Sequence, residues 1–259
     1  MDLNGRVVVV TGAGRGIGEG LVRRFRAEGA LVLAADLDEA AVERVGTETG
    51  CVGMRADVSV EDDVRGLVER AEADLGPIDL FCSNAGIGPS GGVDMSNEMW
   101  QRIWEINTMS HVYAARACLP GMLARGEGYL LQTVSAAGLL TNLGAAAYSV
   151  TKHAALGLAE WLSVTYGDRG IKVSALCPQF VQTDLLADLA SDPAVAGWVK
   201  AATISVEEVA EAVVEGLAAE RFLILPHPEV ATFFERKATD YDRWLAGMRK
   251  LQASLGLEV

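Results

Sequence analysis

Tyr148 and Lys152 stand four residues apart in Tyr-Ser-Val-Thr-Lys, and Ser135 lies thirteen residues upstream. Residues i and i+4 share one helix face, so a phenol and an ammonium at this spacing can line a single pocket. An unperturbed tyrosine has a pKa of about 10, and service as a base near neutrality requires a fall of roughly three units, or about 4 kcal/mol. One cation at about 4 Å supplies roughly that much at an effective dielectric of about 20, but only about 1 kcal/mol in bulk water. The pair is therefore expected to move protons in a site partly closed to water. An isolated Tyr and Lys at this spacing reads first as a solvated surface pair, and the start of the chain is what overturns that reading.

There, the apolar run 7–10 leads directly into Thr11-Gly-Ala-Gly-Arg-Gly-Ile-Gly18. A turn built from Gly12, Gly14, Arg15, Gly16, Ile17 and Gly18 lets the backbone approach a pyrophosphate. The helix that follows offers unpaired N–H groups and the positive end of its dipole. Asp36 ends the second apolar run, 18 residues beyond Gly18, with Leu37 beside it. A carboxylate at that place accepts hydrogen bonds from an adenosine ribose. Such a charge-assisted bond is worth about 1.5–3 kcal/mol, and the same charge repels a 2′-phosphate. Asp36 thus favours NAD over NADP, while Arg15 pulls the other way because a guanidinium in the turn can reach a phosphate. A dinucleotide cradle followed by Ser135, Tyr148 and Lys152 points to oxidoreductase chemistry.

The elements that must position these groups follow from the alternation of short β-rich apolar runs with amphipathic stretches. Strands are expected over 6–11, 31–36, 51–58, 78–84, 129–135, 172–177 and 222–225, and helices over 16–28, 39–49, 61–75, 98–123, 148–168 and 206–219. This alternation predicts βαβ units in one α/β domain, residues 1–259: a doubly wound, seven-stranded parallel sheet flanked by helices. Two segments fall outside it. Residues 179–203 lie where such sheets bind ligands and read as a substrate lid, carrying Leu185, Leu186, Leu189 and Trp198. Residues 227–259 read as a helical extension, packed on its own domain or another subunit, with a contribution to the substrate pocket as the sharper alternative.

The net charge of −13 argues against nucleic acid as a partner, since phosphate binding relies on clustered Lys and Arg. No apolar run reaches the length needed to cross a bilayer, and Met-Asp-Leu-Asn-Gly-Arg leads straight into a strand. No signal peptide and no membrane association are expected. Cys51, Cys82, Cys118 and Cys177 are widely spaced in or beside apolar segments and read as core residues in a reducing cytoplasm. With His111, His153 and His227 they form no ligand spacing, so no catalytic metal is expected.

With the Gly-rich turn, the Ser, the Tyr and the Lys in place, the sequence resembles the short-chain dehydrogenase/reductase family in its compact single-domain branch. The resemblance covers roughly the first 225 residues. It implies a Rossmann-like fold and a catalytic tetrad of Asn107, Ser135, Tyr148 and Lys152. Asp57-Val58 resembles the acidic pair that contacts adenine, and Asn84-Ala85-Gly86 the motif that steadies the central strand, with Ser83 replacing its first Asn. Pro178, Val181 and Thr183 keep a further cofactor pattern, in which Gln179 replaces Gly; Ser110 likewise replaces a Gly after Asn107.

In the implied mechanism Ser135 holds the substrate oxygen and Tyr148 gives or takes its proton. Lys152 lowers the tyrosine pKa and holds the nicotinamide ribose, and Asn107 supports a proton relay. Leu140 and Gln179 are expected beside the substrate, and the apolar lid suggests a bulky or apolar secondary alcohol or ketone. The alternatives are an NADPH-dependent reductase of 3-oxoacyl thioesters and a non-catalytic dinucleotide sensor of the same fold. The family's usual homotetramer, with the apolar excess of the two long helices, suggests a homo-oligomer, a tetramer or a dimer.

Overall fold

The computed structural model describes residues 1–184, 186 and 199–256. Most of the expected lid, with Leu185, Leu189 and Trp198, lies outside the described residues. Strand β1 (Val7–Thr11) leads to helix α1 (Gly16–Ala27), then β2 (Leu31–Asp36), α2 (Glu39–Thr49), β3 (Val52–Arg55), α3 (Glu61–Asp74) and β4 (Leu80–Ser83). Next come α4 (Asn97–Trp104), a π-helical turn (Glu105–Met109), α5 (Ser110–Arg125), β5 (Gly128–Thr133), a four-residue helix α6 (Ala136–Leu139) and α7 (Ala146–Tyr166). Strand β6 (Ile171–Leu176) precedes the short pair β7 (Phe180–Val181) and β8 (Thr203–Ile204). Helix α8 (Val206–Ala218), β9 (Leu223–Ile224), α9 (Glu229–Thr239) and α10 (Tyr241–Ser254) complete the described elements.

Seven parallel strands form one sheet in the order β3-β2-β1-β4-β5-β6-β9. They correspond to the seven runs expected from sequence. The central strands β1, β4 and β5 are buried on both faces, which is why they read as largely apolar runs, whereas the edge strand β3 alternates between half-buried and exposed residues. Leu21, Val22 and Phe25 of α1, Val42 and Val45 of α2, and Val209, Val213 and Leu217 of α8 cover one face through Val8, Val10, Leu80 and Leu131. Leu67 and Ala71 of α3, Ala114 and Cys118 of α5, and Ala155, Ala159 and Leu162 of α7 cover the other through Val9, Phe81 and Leu130. Strand order reverses between β1 and β4, so the crevice beyond their carboxyl ends is the natural ligand site.

The structure departs from the sequence reading in three places. The single helix expected over 98–123 is divided by the π-helical turn at Glu105–Met109. Residues 56–58 leave the sheet, because β3 ends at Arg55 and Asp57 accepts hydrogen bonds from the Ser59 amide at 2.9 Å and hydroxyl at 2.6 Å. The C-terminal extension is two helices, broken at Asp240, whose carboxylate caps α10 by accepting from the Arg243 amide at 3.0 Å.

Candidate active site

The Gly-rich turn closes onto the loop after β4. A Cβ on Gly18 would lie 2.0 Å from the Gly12 carbonyl oxygen, and one on Gly12, at φ +62°, would lie 2.8 Å from the Ala85 Cα. Only glycine fits either place. Asn84 joins three strands: its Nδ2 donates to the Thr11 carbonyl at 3.0 Å, its amide donates to Thr11 Oγ1 at 3.0 Å, and its Oδ1 accepts from Thr133 Oγ1 at 3.0 Å.

Asp36 accepts from the Gly14 amide at 2.8 Å and the Asp38 amide at 3.0 Å, which aims its carboxylate across the turn. Arg15, the N-cap of α1, makes no side-chain cap, so the first-turn amides of α1 keep their capacity to bind an anion. The Arg15 guanidinium is exposed and faces Asp184 at 3.4 Å. These features fit a nicotinamide dinucleotide: an anion cradle, a carboxylate at the end of β2 beside it and close backbone approach. Burial alone would raise the Asp57 carboxyl, but the two Ser59 hydrogen bonds together with the charges of Arg102 and Arg55 hold it below its ordinary value.

One cleft of about 1850 Å³ runs from this turn across the sheet ends to the C-terminal helices. Gly12, Arg15, Gly16, Ile17, Asp36, Leu37, Asp57, Val58, Asn84, Ala85, Gly86, Pro178, Val181 and Thr183 line it. Ser135, Leu140, Tyr148, Lys152 and Gln179 line it as well, so the expected site residues largely converge. Gly14, Gly18 and Asn107 stand behind its wall. Asn107 is fully buried in the π-helical turn, where its Oδ1 accepts from the Ile87 amide at 2.9 Å and its Nδ2 donates to the Ile87 carbonyl at 2.8 Å. This strand-like pairing joins the helix to the loop after β4. The widened turn turns Asn107 inward, a use typical of π-bulges.

Ser135 is the N-cap of α6, and its Oγ accepts from the Ala137 amide at 3.1 Å. The Ala136 amide donates to the Pro178 carbonyl at 2.8 Å, tying α6 to the loop after β6. Tyr148 and Lys152 occupy successive turns of α7. Lys152 Nζ donates to the Thr133 carbonyl at 2.9 Å and lies 5.6 Å from the centre of the Tyr148 ring. Burial raises the Tyr148 phenol above its ordinary value, with the Ser135 hydroxyl opposing the rise, and burial pushes Lys152 down to about 8. The expected lowering of Tyr148 by Lys152 is not seen in the protein alone, where burial sets the direction for the phenol.

The far wall of the cleft comes from the C-terminal extension, which the sequence reads first as a packing element and only as the sharper alternative as part of the substrate pocket. Phe233, Trp244, Met248 and Leu251 of α9 and α10 line it, opposite Leu140 and Leu143. Val230 is fully buried in the core, and Phe233 and Trp244 also pack against it, so the extension both covers the domain and walls the cleft. His227 anchors its start: its Nδ1 accepts from the Gln179 amide at 3.1 Å, and its Nε2 lies 3.1 Å from the Phe180 and Ala202 carbonyls. The bond to Gln179 requires Nδ1 unprotonated, with the proton on Nε2.

The short chain dehydrogenase family matches residues 6–194. The chain is 35% identical over 209 residues to a 3beta-hydroxysteroid dehydrogenase of Eggerthella lenta, covering 78% of this chain and 80% of that protein. It is 37% identical over 237 residues to a 1-deoxy-11-beta-hydroxypentalenate dehydrogenase of Streptomyces arenae, covering 86% and 83%. The solved structure of a short chain dehydrogenase/reductase from Burkholderia phymatum in complex with NAD superimposes with a TM-score of 0.85 at 28% identity, covering 93% of this chain and 96% of that one. The fold, the cradle and these likenesses agree: the chain belongs to the short-chain dehydrogenase family, and with it to the oxidoreductases that act on CH–OH groups.

Proposed function

We propose that the protein is an NAD-dependent dehydrogenase that interconverts a bulky, apolar secondary alcohol and its ketone. The observation that carries this reading is the cleft itself, which joins a dinucleotide cradle to Ser135, Tyr148 and Lys152 and then to an apolar wall. A bound nicotinamide dinucleotide supplies the hydride donor or acceptor. Ser135 and Tyr148 hold the substrate oxygen, and Tyr148 transfers its proton. Lys152, held by Thr133, orients the nicotinamide ribose and biases the phenol electrostatically, and Asn107 keeps the loop at Ile87 in register behind it. Asp36 supports NAD over NADP, and the engagement of Arg15 by Asp184 supports it further.

The wall formed by Leu140, Leu143, Phe233, Trp244, Met248 and Leu251 supports a substrate larger than a simple sugar or diol. The relatives named for a hydroxysteroid and a pentalenate derivative point in the same direction. Val150, Trp161 and Val164 of α7 are exposed, which supports a homo-oligomer built on that helix. Among the described residues no helix is long and apolar enough to cross a membrane. The test is absorbance of reduced nicotinamide with purified protein, NAD or NADP, and cyclohexanol, benzylic, long-chain and polycyclic secondary alcohols. Turnover with NAD, strongest for bulky alcohols, is the expected outcome; turnover confined to NADP and acyl thioesters contradicts the reading.

A further inference from the structure

Lys237 sits on the inner face of α9 and is only 7% exposed. Among the described residues no carboxylate pairs with it, although a buried ammonium is costly unless its protons are bonded. Its Nζ donates instead to the Leu139 carbonyl at 2.6 Å and to the Leu140 carbonyl at 3.3 Å, and lies 5.4 Å from the centre of the Tyr241 ring. Those carbonyls end α6, the helix whose first cap is Ser135. The last carbonyls of a helix have no intrahelical partner, and a cation there satisfies both the orphan acceptors and the dipole.

The next residue, Thr141, holds φ +122°, a conformation that a β-branched side chain rarely adopts. Such a bend persists only where its surroundings fix it. Lys237 holds the carbonyl before Thr141, and Ser149 Oγ accepts from the amide of Asn142 at 2.8 Å just after it. Ser149 is the neighbour of Tyr148 on α7. Helix α6 also packs tightly on α7, since a Cβ on Gly138 would lie 2.7 Å from the Lys152 carbonyl oxygen. The short segment between Ser135 and Tyr148 is therefore clamped at one end by α9 and at the other by α7.

We propose that Lys237 is a positioning residue for the reaction: by fixing the C-terminal end of α6 it holds Ser135 and the cleft-facing Leu140 in place against Tyr148. This rests on the reading that Ser135 and Tyr148 hold the substrate oxygen. It gives the C-terminal extension a second role beyond the cleft wall, since a charge on α9 acts on the reacting end of the site through α6.

The test is a double-variant cycle on Lys237→Met and Ser135→Ala, read as kcat and KM with NAD and the best alcohol of the panel above, with hydrogen exchange over residues 136–142. Lys237→Met is expected to raise exchange at the end of α6 and to lower kcat roughly tenfold or more, with KM for NAD changed less than about twofold. In the Ser135→Ala background the same change adds less than about twofold, because the effect passes through Ser135. Lys237→Gln, which keeps a shorter donor, gives a smaller loss and serves the same cycle if the Met variant does not fold. Unchanged exchange and kcat, or losses that multiply in the double variant, overturn the proposal. A Ser135→Ala protein with full turnover overturns the underlying reading as well, whereas altered exchange with multiplying losses overturns the positioning role alone.

Discussion

Lys152 Nζ donates to the Thr133 carbonyl at 2.9 Å, a bond that ties the middle of α7 to the end of β5 and turns the ammonium toward the cleft. Thr133 is also the residue whose hydroxyl donates to Asn84. One strand end thus registers both the lysine of the candidate site and the asparagine that locks the dinucleotide turn. Consequences for pH, stability and specificity follow from how deeply these groups are buried.

Burial keeps the proton on Tyr148 at neutral pH, since the phenol stands above its ordinary value. A protonated phenol is the form that donates to a carbonyl oxygen, and its deprotonated form is the one that accepts from an alcohol. Alcohol oxidation is therefore expected to accelerate steadily from about pH 7 to about pH 9, while carbonyl reduction, which uses the protonated phenol, stays nearly flat over the same range and slows only above about pH 10. Initial rates in both directions across that range check this, and parallel pH profiles contradict it.

Lys152 stands at about 8 against an ordinary value of 10.5, so the folded state disfavours its charge. The stability this group contributes is complete above its ordinary value and is lost as pH falls toward its folded value. At neutral pH the burden amounts to about 3 kcal/mol. Lys152→Met removes it at the cost of one hydrogen bond to Thr133. The variant is expected to be inactive yet to melt higher than the parent at neutral pH, with the difference shrinking as pH approaches about 10. Calorimetry at both pH values tests the sign.

Asp36→Asn keeps an acceptor for the Gly14 amide while removing the charge. Loss of one charge-assisted bond predicts a rise of roughly tenfold or more in KM for NAD, with a smaller penalty against NADP than the parent shows. Equal discrimination in parent and variant means that another group selects the cofactor.

Two glycines separate structural need from mere composition. Gly18→Ala forces a Cβ to 2.0 Å from the Gly12 carbonyl, so the turn must open and cofactor binding is lost. Gly66, inside α3, has nothing within 4 Å of its would-be Cβ, and Gly66→Ala is expected to stabilise by about 1 kcal/mol through helix propensity. Thermal melting with and without NAD distinguishes the two.

The seven strands, their order of appearance and the pairing of Tyr148 with Lys152 are readable from periodicity and spacing, whereas the place of Ser135 beside them follows from the family resemblance. The turn at Glu105–Met109 is not readable, because one inserted residue leaves a helical run looking helical. Helix α6 is too short for any period to show, and its sequence Ala-Ala-Gly-Leu carries no cap signal beyond Ser135. Lys237 resembles any solvated charge on an amphipathic helix, and only the tertiary packing of α9 onto residues nearly a hundred positions earlier reveals its partners. The same holds for Asn107, whose side chain pairs with a backbone 20 residues away.

The most direct measurement is turnover and NAD binding of Tyr148→Phe, by reduced-nicotinamide absorbance and by calorimetric titration. Loss of the hydroxyl is expected to lower kcat by about 10²–10⁴-fold or more, while NAD binds within about twofold of the parent, because the phenol moves the proton and the cradle holds the cofactor. Turnover preserved in the variant would contradict the account at its centre, since the proton would then travel by a group other than Tyr148.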